Sequence, residues 1–531
     1  MSALKVLFLM DSPEYLRFYD SVLAEFSARG HAVAVAVNHD NAKKPIGVDG
    51  LRAYGGRVSV LGVVPERTGL WNEAGHMVRA TMDFVRFLHP TFAAATALRA
   101  RIKRKVLPTA WHWLDRIPRL GEAAVRRLVR ALMAAERAIP VYGPIEHLLK
   151  AESPDVLLVS PLVTAASPQV EWIKAARACG VRTAVCVASW DNLTNKGLLR
   201  LEPDLVMVWN EAQRHEAEAY HYIPPDRIAV TGAQLFDKWF EKTVTRDREA
   251  FCARVGLPDS RPFVLFTGSS SFISESQAEV NFVRRWVAAL RGSGDPALES
   301  VNVLVRPHPY NVHVWAHDPV ADLPGVGVFP RQGYSPIDPE NRNDFFDSLF
   351  HSAAVVGINT SAMIEAAIVG RPVCSLLADE FSGTQEGTIH FRHLLPENGG
   401  FLRLAATVEE HVRQLSACLQ NPEATRAETA GFVASFIRPH GVTHPATPVF
   451  VDVVERLAAT PAPVASPAPA AAWLLRPLVV AATALTVGVE LLTDAEARAR
   501  IRKRWRGRVK RGKKFAETMP KRWKRLRKAI W

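Results

Sequence analysis

Residues Val355-Val356-Gly357-Ile358-Asn359-Thr360-Ser361-Ala362-Met363-Ile364-Glu365-Ala366-Ala367, followed by Gly370-Arg371-Pro372-Val373, contain a complete folding unit. A β-branched pair ends at a glycine, a polar turn supplies a cap, a short helix follows, and Gly370 and Pro372 stop it before the next strand. Strand, turn, helix and strand at this spacing predict a βαβ unit, hence a parallel sheet covered by helices. Asn359, Thr360 and Ser361, with the free N–H groups of the helix start, would form an anion site at the sheet's rim. Glu365, one turn on, is placed to accept hydrogen bonds from a ribose diol. The plainer alternative makes Thr360 and Ser361 ordinary caps and Glu365 a partner of the helix dipole.

Outward from this unit the same rhythm continues. Strands are predicted at Lys5–Met10, Ala32–Val37, Val58–Val63, Val156–Ser160, Thr183–Val187 and Leu205–Trp209. A second series covers Pro262–Thr267, Val301–Val305, Val326–Phe329, Ala354–Val356 and Val373–Leu376, with amphipathic stretches such as Glu279–Leu290 between strands. Two series predict an α/β chain of two facing doubly wound Rossmann-like domains, 1–240 and 241–459, with an active site in the cleft between them. Residues 71–137 break the rhythm. They read as a helical insertion rich in Arg, with a cluster at Arg99, Arg101, Lys103, Arg104 and Lys105, either solvated or lying on an anionic membrane or acceptor. A Pro/Ala linker is expected over 460–472, and a detachable basic tail over 473–531.

Further candidates lie at strand ends, where ligands bind in such sheets. Strand Phe263–Phe266 runs into Gly268-Ser269-Ser270, whose N–H groups and hydroxyls could face a phosphate. Val303–Val305 leads into Arg306-Pro307-His308-Pro309, a guanidinium and an imidazole. Asp379-Glu380-Phe381, with Gly383–Glu386 beyond, forms another rim loop or a solvated turn. In the first half the loop Ser189–Gly197 carries five polar side chains, and Asp191 is the first candidate to deprotonate a hydroxyl, with Asp11 second. Alternatively, Asp191 and Asn192 make an Asx-turn beside a packed Trp190. No metal site is expected: there is no D-x-D pair, and prolines prevent one regular helix from joining His308, His313 and His317. Walker-type, dinucleotide-fingerprint and nucleophile-elbow motifs are absent.

The 531 residues include 66 Lys plus Arg against 53 Asp plus Glu, a net +13. Between Ala497 and Trp531 stand 17 basic residues and one acid, Glu517, so a mildly acidic body carries a strongly cationic end. Within that end Ile501, Trp505, Val509, Gly512 and Phe515, then Trp523, Leu526 and Ile530, recur at helical spacing. This is the pattern of a basic amphipathic helix at a membrane interface. Upstream, Pro477–Val489 is uncharged but, at 13 residues, short for a span. Together 477–531 predict an anionic membrane surface as partner. Nucleic acid is disfavoured because it has no use for the apolar run. Five scattered cysteines and an N-terminus without a signal-peptide pattern fit a cytoplasmic protein, peripheral on the inner face of the membrane.

Arg306-Pro307-His308-Pro309 and, about fifty residues on, the Gly357–Val373 stretch resemble the donor half of GT-B fold enzymes. Surface-polysaccharide glycosyltransferases are nearest, with nonhydrolysing UDP-GlcNAc 2-epimerases and CDP-glycerol glycerophosphotransferases as relatives. Asn210-Glu211, Pro225–Gly232 and Phe236-Asp237 are similar to the segment entering the second domain there. The resemblance implies a metal-independent glycosyltransferase without a cofactor, moving a sugar from a nucleotide-sugar donor to a saccharide or lipid-linked acceptor. Glu365 would hold the ribose, Thr360 and Ser361 the diphosphate, and His308 or Arg306 the charge of the departing phosphate. The epimerases' His-x-Glu-Ala-Gly and the glycerophosphotransferases' His-Gly-Thr-Pro segments are missing; Ala188–Gly197 stands there instead. An epimerase or glycerophosphotransferase-like enzyme and a non-catalytic membrane scaffold are the alternatives.

Overall fold

The structure is a computed structural model that describes residues 3–39, 54–274, 276–309, 311–332, 338–466 and 470–493, with isolated positions beyond. It divides into two compact units, 1–235 with 443–531, and 236–442. The stripe running from Ile501 to Ile530 lies outside the described residues.

Unit 1 holds seven parallel strands: β1 (Lys5–Met10), β2 (Ala32–Val37), β3 (Val58–Val63), β4 (Val156–Ser160), β5 (Arg182–Cys186), β6 (Leu205–Val208) and β7 (Ile228–Val230), ordered β3-β2-β1-β4-β5-β6-β7. Val6 stands beside Val33 of β2 and Val156 of β4, so the order reverses at β1. Both faces are covered, as the unbroken apolar runs require. Leu7 and Leu9 enter one core with Trp172, while Val6, Phe8 and Met10 enter the other with Tyr19 and Phe26. The helices used below are α1 (Leu16–Ala28), α2 (Leu70–Val85), α3 (Thr96–Lys105), α4 (Glu122–Ala138), α5 (Val170–Cys179) and α6 (Asn192–Asn195).

Unit 2 has six parallel strands: β8 (Phe263–Thr267), β9 (Asn302–Arg306), β10 (Val326–Val328), β11 (Ala354–Gly357), β12 (Val373–Leu376) and β13 (Arg403–Ala405), ordered β10-β9-β8-β11-β12-β13. Its order reverses between β8 and β11. Among its helices are α7 (Ser276–Arg291), α8 (Pro339–His351) and α9 (Ala362–Ile368). Phe266, Val305 and Val356 pack with Trp286 of α7 in its core. The three-residue edge strands β7 and β13 were not expected, whereas β10, equally short and also at an edge, was expected within Val326–Phe329.

The chain then returns to unit 1, earlier than the expected boundary at 459. Helix α10 (Ala446–Ala459) adds Phe450 and Val454 to the core behind β1. It is fastened by Arg29 to Asp452 (2.5 Å) and Glu455 (3.1 Å) and by His31 to Glu455 (2.8 Å). The segment 460–466 forms no regular element, but it is tied to the unit: the Ser466 N–H donates to the Arg177 carbonyl (3.1 Å), and the Arg182 guanidinium to that of Thr460.

Helix α11 (Ala470–Thr493) corrects the expectation of a detachable tail with a 13-residue apolar core. Ala472 and Val479 pack with Ala74 of α2 and with Ala138 and Ile139 at the end of α4. The Arg476 guanidinium donates to the Ala138 carbonyl (3.0 Å), the Trp111 indole to Thr486 (3.0 Å), and the Thr109 N–H to Glu490 (3.0 Å). The two charges that bounded the apolar run in the sequence thus turn into the protein. Residues Ala472–Leu492 are, by length and composition, sufficient to cross a membrane.

Candidate functional site

In unit 1 the insertion proves to be scaffold. Helix α2 is buried over most of its length, and two charged side chains, Asp83 on it and Arg86 just past its end, shape the Ser189–Gly197 loop from beneath. Asp83 accepts from the N–H groups of Ala166 (2.7 Å) and Leu198 (2.9 Å) and pairs with fully buried Arg200. Arg86 donates to the carbonyls of Gly197 (3.1 Å) and Thr194. A Cβ on Gly197 would lie 2.6 Å from the Asp83 carboxylate, so only glycine fits there. From the other side His221 accepts from the Leu199 N–H (3.0 Å) and donates to the Leu193 carbonyl (2.7 Å), which requires a neutral ring. Burial, with Arg86 nearby, pushes its pKa down to about 3.

The loop held this way presents Asp191, half-buried at the start of α6. Its carboxylate accepts from the side-chain amides of Asn192 (3.3 Å) and Asn195 (3.1 Å). Instead of an Asx-turn, Asn192 reaches back along the loop, its side-chain oxygen accepting from the Ala188 N–H four residues earlier (3.1 Å). Asp11 leaves the end of β1, beside the reversal point, with Asn38 at 3.4 Å and His39 at 3.8 Å. Lys196 joins the two acids electrostatically. Burial lowers its pKa, but Tyr15, Asp191 and Asp11 outweigh that effect and raise it overall. Burial raises the Asp11 carboxyl above its ordinary range, opposed by His39, Asn38 and Lys196. Arg101 of α3 also senses Asp191, and burial lowers its pKa. The rest of the Arg-rich cluster divides: Arg99 and Lys103 pair with Asp115, while Arg104 and Lys105 are exposed.

Two carboxylates and an ammonium at the carboxyl edge of a doubly wound sheet can take a proton from a hydroxyl and hold the resulting charge. Tyr15 was not singled out from sequence, and Arg101 was noted only as one member of the basic cluster in the insertion. Lys196 was visible as the base of a polar loop, whereas the Arg101 contact depends on how the insertion folds back.

In unit 2 the reversal between β8 and β11 gathers part of the expected donor site. Gly268 lies against the next strand's exit: its N–H donates to the Arg306 carbonyl (2.9 Å), and a Cβ there would meet the backbone nitrogen of His308 at 2.8 Å. The Ser269 N–H donates to Glu279 of α7 (2.6 Å), and the Ser269 carbonyl accepts from Asn311 (2.8 Å). The Gly268 and Ser269 amides are therefore engaged internally, which corrects the expectation that they face a phosphate. Ser270 is half-buried, and its carbonyl closes the following turn onto Ile273 (2.9 Å). Burial pushes the Glu279 carboxyl up to about 8, against the opposing pull of the Ser269 N–H and the Trp315 indole.

Arg306 also turns inward. It donates to Ser348 (3.0 Å) and to the carbonyls of Asp344 (3.4 Å) and Asn341 (3.3 Å) of α8, and lies over Phe329 and Phe345. Buried Asn359 donates to the Thr384 carbonyl (2.6 Å) and to Thr388 (3.2 Å), fixing the loop beyond β12. Gln385 of that loop reaches the carbonyls of Ile358 (3.3 Å) and Leu376 (3.1 Å). Arg306 and Asn359 thus position the rim. Partly accessible beside it are half-buried His308, Thr360 and Glu365 and exposed Ser361. A Cβ on Gly357 would lie 2.8 Å from the Thr267 hydroxyl, so the strand end that carries them keeps its glycine. Glu380 pairs with Arg285 across the neighbouring turn. Among the described residues no three His, Cys, Asp or Glu gather as a metal site.

No protein-family model matches the sequence, and no curated protein matches it. Among solved structures the chain is similar to a glycosyltransferase from Rickettsia africae ESF-5, with a TM-score of 0.50 and 10% identity over 87% of this chain and 100% of that one. It is also similar to a UDP-GlcNAc 2-epimerase from Neisseria meningitidis, bound to UDP-GlcNAc, with a TM-score of 0.49 and 12% identity over 85% and 100% of the two chains. A third likeness is to WaaG, a glycosyltransferase involved in lipopolysaccharide biosynthesis, with a TM-score of 0.45 and 12% identity over 86% and 100%. At such identities the likeness concerns architecture: two doubly wound α/β domains, each with its order reversing at a central strand, make this chain a GT-B fold.

Proposed function

We propose that the protein is a nucleotide-sugar-dependent glycosyltransferase acting on a saccharide or lipid-linked acceptor at a membrane surface. The observation that carries the reading is the reversal point of unit 2, where half-buried Thr360, Glu365 and His308 and exposed Ser361 stand by a rim braced by Arg306, Asn359 and Glu279. In this reading Glu365 holds the ribose, Thr360 and Ser361 the diphosphate, and His308 meets the charge that develops on the departing phosphate. Asp191, with Asp11 second and Lys196 coupled electrostatically to both, takes the acceptor proton. The likeness to the Rickettsia glycosyltransferase supports the architecture on which this rests.

Titration with UDP-, GDP-, CDP- and dTDP-sugars tests the donor assignment. Glu365→Ala is expected to weaken the donor that binds by about tenfold, the loss of one good hydrogen-bonding carboxylate. Unchanged affinity, or no binding by any of the four, would overturn it. Product analysis without acceptor separates transfer from epimerisation. If Asp191→Asn and His308→Ala leave activity in cells intact, the chain is a scaffold rather than an enzyme.

A further inference from the structure

Helix α11 is amphipathic in the reverse sense for a water-soluble surface. Ala472, Val479, Thr483, Thr486 and Glu490 face the protein. The opposite side presents Leu474 (79% exposed), Leu478 (67%), Leu485 (70%) and Leu492 (82%), at the spacing of one helical stripe and with no charge among them, and Trp473 (62%) is exposed beside it. A helix of 24 residues is about 36 Å long, so this is a continuous apolar ridge larger than a soluble monomer ordinarily leaves to water. The described polar side chains Arg476, Thr483, Thr486 and Glu490 are on the flank or the protein side, and Arg476, Thr486 and Glu490 are bonded to the insertion and its end.

We infer that α11 is an in-plane membrane anchor, seated with its leucine ridge in the interfacial region of an anionic bilayer and held there by the helical insertion as a rigid base. This deepens the membrane part of the function proposed above and is independent of the catalytic assignment. Charge selects the occupant. The 17 basic residues of 497–531 follow the helix in the sequence, the first of them, Arg498, five positions past Thr493. An anionic surface neutralises them, whereas a second copy docked on the ridge would bring two such cationic segments together. Trp113, two residues from the indole that bonds Thr486, is half-exposed (52%) and adds an aromatic suited to the headgroup level. The bonds from Thr109, Trp111 and Ala138 keep the helix along the protein, so it lies on the bilayer although it is long enough to cross.

The test uses the full chain and vesicles of phosphatidylcholine with phosphatidylglycerol. Replacing the exposed side chains, Leu474→Ser, Leu478→Ser and Leu485→Ser together, is expected to weaken sedimentation with vesicles by at least about tenfold while circular dichroism, melting temperature and nucleotide-sugar affinity stay unchanged. An environment-sensitive dye on Leu478→Cys is expected to shift to the blue when vesicles are added. Wild-type binding by the triple variant, or no dye shift, would overturn the anchor and leave the basic segment as the sole attachment. A wild-type dimer that the triple variant converts to monomer would overturn it in favour of a second copy on the ridge. Resistance to alkaline carbonate extraction would overturn it in favour of a span.

Discussion

At the carboxyl edge of the unit 1 sheet, the Lys196 ammonium faces Asp11, Asp191 and Tyr15. Removing its charge in Lys196→Met leaves Asp11 with burial less opposed, so the Asp11 pKa should rise. If Asp11 or Asp191 must be ionised for turnover, the acid limb of the rate profile moves to higher pH, and Lys196→Arg restores it. A pH–kcat/KM profile reads this, and a merely structural lysine would lower the rate without moving the limb. Glu279 makes a separate prediction. Its carboxyl ionises near 8 in the fold but near 4.5 otherwise, so the folded chain holds a proton that the unfolded chain releases. The stability this contributes is complete below about pH 4.5 and is lost as pH rises toward 8. Glu279→Gln, which retains an acceptor for the Ser269 N–H, should therefore be more stable than wild type by a few kcal/mol at pH 8, on the order expected from linkage, and near parity at pH 4.5. Urea unfolding at the two pH values measures it. Asp191 and Asp11 were legible in the sequence because each follows a β-branched or apolar run. Arg306 and Asn359 were legible as positions but not as roles, since only the packed structure shows α8 and the 384–388 loop taking up their donors.

Elements here are defined as much by what lies beneath them as by their own pattern. The 189–197 loop has no periodicity, yet Asp83, Arg86 and His221 fasten it at several points. Asp83→Ala would leave Arg200 charged and buried without its partner. It should destabilise unit 1 by about 3–5 kcal/mol and loosen the loop, seen as lower melting temperature and faster amide exchange over 189–200. Gly268→Ala forces a Cβ against the backbone nitrogen of His308 and should cost about 1–3 kcal/mol while weakening nucleotide-sugar binding, checked by calorimetry. The strands over β-branched runs could be read almost to the residue, β1 to β4 without change. β7 and β13 were not anticipated, although the equally short edge strand β10 was, within Val326–Phe329; each of the three is held by the single neighbour that pairs with it.

For the whole molecule, the position of a cut behind the globular body decides its effect. Ending the chain after Thr493 removes the cationic segment alone and should leave melting unchanged while making vesicle binding less sensitive to salt. Ending it before Ala470 strips the cover from Ala74, Ala138 and Ile139 and should lower stability and solubility together, measured by thermal melting of the two truncations side by side. By itself the sequence determined the alternation of strand and helix, the doubly wound class, the concentration of positive charge at one end and the strand ends that could carry chemistry. These follow from local properties, since β-branched runs, turn residues and charge counts act over a few neighbours. Tertiary structure alone decided that α10 closes unit 1, that the insertion supports the acid-bearing loop, and that the apolar stretch near the end is a docked helix with a bare leucine ridge. Each of those depends on contacts between residues tens to hundreds of positions apart, and nothing in a local pattern says which of two equally apolar faces another helix will cover.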